Sequence, residues 1–253
     1  MTLRRAPWPA DFPEVVVHAT VALRDAHPDY AAAKSGAREP AVRLACALLS
    51  DAAVARLRDA LGHRKPIIVP VRAVETTGIN LIPDAMAHEL GQRLGLAVTS
   101  DIVQTNTVGH TRASGFHRLA FQPLFAGSVL PGRLHLLVDD HVGLGGTLAN
   151  LRGHIESEGS IVVAATLCAS RSSEVLALRP KSLQNLRERH GELLEEYWRH
   201  RFGFGLEGLT EAEAGYLLRT PSVDAVRDRL AEAGGAGVSG AVQPDQGGHR
   251  DGG

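Results

Sequence analysis

Leu134-His135-Leu136-Leu137-Val138-Asp139-Asp140-His141-Val142-Gly143-Leu144-Gly145-Gly146-Thr147-Leu148 sets an apolar run, two adjacent acids and a glycine-rich turn in immediate succession. Residues 134–138 read as a buried strand, and Leu148, Leu151 and Ile155 continue past the turn at helical spacing. The order places carboxylates at the carboxyl end of a strand and glycines at the start of a helix. Acids there can hold sugar hydroxyls or a metal, and the N–H groups of such a turn can hold a phosphate. A ligand with both a ribose and a phosphate is the simplest object that fits.

The flanking sequence extends this unit into a sheet. Downstream, residues 161–167 form another apolar run, giving strand, helix, strand. Upstream, Pro66-Ile67-Ile68-Val69-Pro70-Val71 reads as a strand, and Ile82, Met86, Leu90 and Leu94 form a helical stripe behind Pro83. Residues 96–103 lead into a further strand. Uninterrupted apolar strands are typical of parallel sheets covered on both faces. The predicted fold is therefore α/β, a parallel Rossmann-like sheet with helical N- and C-terminal additions. Ligands of such sheets bind outside the carboxyl ends of the strands.

Around that core, residues 14–20 contain a short strand and residues 28–61 read as helices, with Val42, Leu44, Ala45, Leu48 and Leu49 and then Val54, Leu57 and Leu61 at helical spacing. After Ser170 the character turns helical, through Leu183, Leu186, Leu193, Leu194, Tyr197 and Trp198. Thr210 with Glu213 forms a capping-box pattern, and residues 221–233 suit a last helix. From Gly234 onward, Gly, Gln, Ser and Asp predict disorder. Four segments result: a helical hood over 1–64, a core over 65–170, a helical extension over 171–233 and a tail over 234–253. Residues 105–132 are polar and aperiodic, which suits a lid.

Composition narrows the function classes. The 253 residues carry 27 basic and 28 acidic side chains, a formal charge of −1, so no global field gathers nucleic acid. Apolar content of 44% with only 4% aromatics predicts a core of Val, Leu, Ile and Ala. Cys46 and Cys168 lie apart in apolar surroundings and read as buried free thiols. No apolar run approaches the roughly 18 residues that span a bilayer. A cytoplasmic protein without membrane contact is expected.

The glycine turn excludes two common phosphate motifs. No Lys follows Gly146, so it is not a P-loop, and Gly143 and Gly145 lead to Leu148 where a dinucleotide fingerprint needs glycine. The segment instead resembles the phosphoribosyl-diphosphate (PRPP) signature of type I phosphoribosyltransferases: an apolar strand, two acids, four loose positions, then Gly-x-Thr and an apolar residue. Val138, Asp139, Asp140, Gly145, Thr147 and Leu148 match it in order. The resemblance covers roughly residues 65–170.

That resemblance implies roles. Asp139 and Asp140 would hold the ribose hydroxyls and serve catalysis. His141, Val142, Gly143, Leu144, Gly145, Gly146 and Thr147 would hold the 5′-phosphate. Val71, Arg72 and Ala73 would grip the diphosphate, with Glu75, Thr76, Thr77, Gly78 and Asn80 extending that loop. Arg112 and Arg118 of the lid, with His110 and His117, would meet the leaving group. Mg2+ would ride on the diphosphate and reach Asp139 and Asp140 directly or through water. Tyr30, Lys34, Tyr197, Trp198, Phe202 and Phe204 lie in segments that would choose the acceptor. Two hydroxyl residues usual in the family's turn are replaced by Gly143 and Leu144, leaving backbone amides and Thr147 for the phosphate. The expected partners are PRPP and a small-molecule nitrogen acceptor; a homodimer is compatible with this reading. The rivals are a non-catalytic PRPP or nucleotide sensor and, against the charge balance, a nucleic-acid-binding regulator.

Overall fold

The computed structural model describes residues 3–75, 78–108, 113–170 and 175–238. The chain opens with β1 (Val16–Thr20), α1 (Val21–Asp25), α2 (Tyr30–Lys34), α3 (Arg38–Leu48) and α4 (Asp51–Leu61). β2 (Ile67–Pro70), a short hairpin of β3 (Val74–Glu75) and β4 (Gly78–Ile79), and α5 (Ile82–Leu94) follow. β5 (Val103–Gln104), α6 (Gly115–Ala120) and β6 (Phe125–Ala126) precede β7 (Leu134–Asp139), α7 (Gly146–Ser157) and β8 (Ile161–Ser170). The remainder is helical: α8 (Pro180–Phe202), a 3-10 turn (Leu206–Gly208), α9 (Glu211–Leu218) and α10 (Val223–Val238).

The expected α/β parallel sheet is present. Its four strands run in the order β1-β8-β7-β2, all parallel. Val138 of β7 lies beside Pro70 of β2 on one side and Thr166 of β8 on the other, so the strand that ends in the acids is central. Residues 96–103 form no full strand: Ile68 exchanges backbone bonds with Ala97 and Thr99, and the Ser100 carbonyl then turns to accept from Arg72. Val103 and Gln104 pair antiparallel with β6 instead.

Two apolar layers cover the sheet. Leu44, Leu48, Leu57, Met86 and Leu90 of α3, α4 and α5 pack with Ile68, Leu136 and Val138 on one side. Trp8, Val69, Leu137, Leu148, Leu151 and Ile155 pack on the other, around α7. Each fully buried leucine contributes ~1.5–3 kcal/mol. The helical extension has its own cluster, in which Trp198, Leu206, Leu217 and Leu230 surround Phe116 and Leu119 of α6. α8 is broken at Gly191, whose backbone leaves the helical region. α10 runs past Ala233 to Val238, so the first glycines of the expected tail are helical; single glycines weaken a helix by about 1 kcal/mol without ending it.

The cysteines divide: Cys168 is buried, and burial pushes its thiol up to about 12, whereas Cys46 of α3 is exposed, its Sγ 3.5 Å from the Glu89 carboxylate of α5. His18 of β1 is buried, and neither ring nitrogen has a hydrogen-bond partner among the described residues. Burial, then the charges of Arg56 and Arg93, pull its pKa down to about 4. The unfolded chain takes that proton near the ordinary 6.5, whereas the folded chain resists it until about 4. Stability is therefore complete above pH 6.5 and falls as pH drops through that window. His18→Leu should flatten the urea midpoint between those pH values; an unchanged acid slope would assign the loss to other groups.

Candidate functional site

β7 delivers Asp139 and Asp140 to the carboxyl edge of the sheet, and each is only 6% exposed. The backbone there is fixed on both sides: Val71 N–H donates to the Val138 carbonyl at 2.8 Å, and Ala169 N–H donates to the Asp140 carbonyl at 3.2 Å. His141 Nδ1 lies 3.2 Å from the Ala169 carbonyl, which holds its ring at the turn.

The two acids live in different environments. Asp139 Oδ1 accepts from the Asp140 N–H at 2.8 Å, while Asp140 Oδ2 meets Lys34 Nζ of α2 at 2.9 Å. Burial, joined by the neighbouring Asp140 charge, pushes Asp139 well above the usual carboxylate range. Burial pushes Asp140 the same way, but the Lys34 ammonium, the Arg24 charge and a hydrogen bond from Asn80 outweigh it and hold Asp140 below that range. Divergent environments of this kind mark groups with separate chemical tasks.

The turn then enters α7. Gly145 caps the helix at φ +83°, a left-handed conformation that favours glycine, and a Cβ there would lie 2.8 Å from Leu176 Cδ2. No side chain caps α7, and its first turn holds no acid. Its leading N–H groups and the positive end of its dipole therefore suit an anion.

The helical extension and the N-terminal segment brace this turn from behind. Thr210 Oγ1 donates to the Leu144 carbonyl, and Thr210 also caps α9 in a capping box with Glu213. Glu213 pairs with both terminal nitrogens of Arg5, at 2.6 and 3.0 Å, and both side chains are 1% exposed. Arg5 also donates to Asn150, Gln122 and the Gly146 carbonyl.

Acids and turn share one cavity of about 340 Å³. Asp139 through Leu148 line it, together with Val71, Ala73, Asn80, Tyr30 and Lys34, as well as Arg24, Arg118, Gln104, Val108 and Glu213. The structure thus gathers every expected phosphate and ribose residue, two of the three diphosphate residues, and one lid arginine. Arg72 is placed elsewhere: it pairs with Asp84 at 2.7 Å and donates to the Ser100 carbonyl at 3.0 Å. Thr76, Thr77, His110 and Arg112 fall outside the described residues. His117 stacks on Phe121 at 4.6 Å, and Tyr197, Trp198, Phe202 and Phe204 pack in the core of the extension.

Arg24, Gln104, Val108 and Glu213 were not foreseen at the cavity. Glu213 had a local signal, the capping box, but nothing in the sequence near Arg24 points to an acid on another strand. Arg24, Lys34 and Arg118 line the cavity beside Asp139, Asp140 and Glu213; Lys34 pairs with Asp140, Arg24 with Asp25 and Glu213 with Arg5.

No family model matches the chain. It is 47% identical over 230 residues to the protein named TraN of Escherichia coli, covering 90% of this chain and 51% of that protein. It is 38% identical over 154 residues to an uncharacterized protein of Haemophilus influenzae, covering 61% of this chain and 34% of that one. The chain thus spans about half of the first relative and about a third of the second. Among solved structures, it is similar to adenine phosphoribosyltransferase of Thermoanaerobacter pseudethanolicus, with TM-score 0.33 and 22% identity over 51% of this chain and 70% of that one. The same enzyme of Rhodothermus marinus gives a TM-score of 0.31 and 15% identity over 46% and 66%. Leishmania donovani UMP synthase gives 0.30 and 12% over 76% and 33%.

Proposed function

We propose that this chain binds PRPP and transfers its 5-phosphoribosyl group to a nitrogen nucleophile of a small molecule, releasing diphosphate. The observation that carries the reading is the shared cavity, in which a buried acid pair at a strand end faces a glycine turn at a helix N-terminus. Asp140, ionised, accepts from ribose hydroxyls, and Asp139 adds the second contact. The amides of Gly145 to Thr147 receive the 5′-phosphate. Val71 and Ala73 border the diphosphate end.

In the reaction, the C1–O bond to diphosphate breaks and its electron pair leaves with the diphosphate. The nitrogen lone pair then closes the C1–N bond, and the nitrogen sheds its proton to water. Carboxylates around the ribose favour the positive charge that develops at the ring. Among the described residues no cluster of three or more metal-ligating side chains occurs, so the donor set is the acid pair. Such a set fits Mg2+, which keeps waters and takes most ligands from substrate oxygens. When bound it would neutralise the departing diphosphate.

The second reading, a PRPP or nucleotide sensor without turnover, draws on Arg72. Its guanidinium is committed to Asp84, so the diphosphate loop presents Val71 and Ala73 without that cation. Calorimetry with PRPP and Mg2+, followed by assay of diphosphate release across nucleobases and amines, separates the readings. Binding with release supports the transferase, and binding without release under every acceptor supports the sensor. Absence of PRPP binding overturns both.

A further inference from the structure

Gly143 is a glycine without a conformational reason. Unlike Gly145, it is not among the positive-φ glycines of the described chain. Its reason is space: a Cβ at position 143 would stand 2.8 Å from Nη1, 3.0 Å from Cζ and 3.3 Å from Nε of Arg118. The guanidinium therefore lies across the bare Cα of the phosphate turn, and a side chain there would displace it.

Arg118 is delivered to that place by packing. α6 buries Phe116 and Leu119 in the core of the helical extension, and Phe116 meets the Tyr216 ring edge-on at 5.2 Å. Arg118, between those two anchors on the same short helix, is half-buried and lines the same cavity as the acids and the turn. Leu144, the other departure from the resembling motif, has a separate use. Its side chain packs against the core of the extension, and its carbonyl accepts from Thr210. One missing hydroxyl is thus replaced by an anchor, and the other leaves room for a cation.

We infer that Arg118 is a ligand of the 5′-phosphate, standing in for the hydroxyl donor absent from position 143, and that Gly143 is bare to admit it. This rests on the PRPP reading of the cavity and deepens it. A guanidinium offers charge and paired donors to a phosphate, a stronger contact than a neutral hydroxyl. It also reassigns Arg118 from the departing diphosphate to the fixed end of the substrate.

Ribose 5-phosphate and inorganic diphosphate are probes for the two ends. In calorimetry of the full chain, Arg118→Ala should weaken ribose 5-phosphate by about tenfold to a hundredfold and leave diphosphate binding near the parent value. Arg118→Lys, which keeps the charge without the fork, should fall between. Gly143→Ser should weaken ribose 5-phosphate by pushing the guanidinium aside. The double variant, Arg118→Ala with Gly143→Ser, should bind it better than either single, because the serine then occupies emptied space. Loss confined to ribose 5-phosphate, with partial retention in Arg118→Lys, is what a merely structural arginine would not give. Loss of diphosphate binding in Arg118→Ala with ribose 5-phosphate unchanged would return Arg118 to the leaving group and overturn the inference. A parent protein that binds neither PRPP nor ribose 5-phosphate overturns the PRPP reading itself, and this inference with it.

Discussion

Asp139→Asn combined with Asp140→Asn is expected to lower PRPP affinity by about a hundredfold or more while the chain still folds. Hydrogen bonds to a charged partner contribute roughly 1.5–3 kcal/mol each, and the ribose contacts would lose their carboxylate acceptors. The fold survives because asparagine keeps the shape of both side chains. An amide oxygen at 139 can still accept the Asp140 backbone N–H, and Lys34, 23% exposed at its side chain, can turn to water. The single variants should differ. Asp140→Asn removes the charge and releases Lys34, so it should account for most of the loss. Asp139 is already held toward its neutral form by burial and by Asp140, so Asp139→Asn should be the milder. Calorimetry beside thermal melts reads both points. Equal affinity in the double variant would show that the ribose lies elsewhere.

The largest stability effect is expected at the ion pair beneath the turn. Arg5→Leu or Glu213→Leu should each lower stability by about 3–5 kcal/mol, because the surviving partner is left as a buried charge without its counter-ion. For a chain of this size that corresponds to a Tm lower by roughly 10 °C. Arg5 is fully engaged, with Glu213, Asn150 and Gln122 around it and its guanidinium 4.8 Å from the Phe204 ring centroid. The double variant should lose much less than the sum, since paired removal leaves no lone charge. Urea unfolding of the singles and the double gives the cycle. A loss below about 1 kcal/mol in either single would mean that the pair opens to water in solution.

What could be read from the sequence was local. The strand, acids and turn of residues 134–148 sit in one continuous segment, so their spacing alone placed them at one sheet edge. The Thr210–Glu213 cap was legible for the same reason, and so were the stripes of α3, α4 and α5. Contacts between distant segments were not. Arg72 reads as a cation beside a strand, and only the position of Asp84 twelve residues on, across a helix start, shows that it is spent. Lys34 was visible as a hood residue, but its partner lies 106 positions away. Residues 96–103 have strand-like composition, yet their pairing with β2 ends at Thr99, and Val103 pairs with β6. Cys46 sits in an apolar run, but the helical phase of α3 leaves it exposed beside Glu89 of α5.

The placement of β1 sets an order of events for the chain. Among the described residues β1 pairs with β8 alone, and Thr166 donates to the Val16 carbonyl across 150 positions. Arg5 waits still longer, for a glutamate 208 positions away. Non-local contacts are slow to form, because loop closure must precede any gain from the contact. During synthesis, at about 5–20 residues per second, the early strand and the N-terminal arginine therefore emerge well before their partners exist. The cavity draws on residues from Arg24 to Glu213 and takes its final shape only when nearly the whole described chain has emerged. Completion of the cavity is thus expected late in folding, after its first and last lining residues can meet.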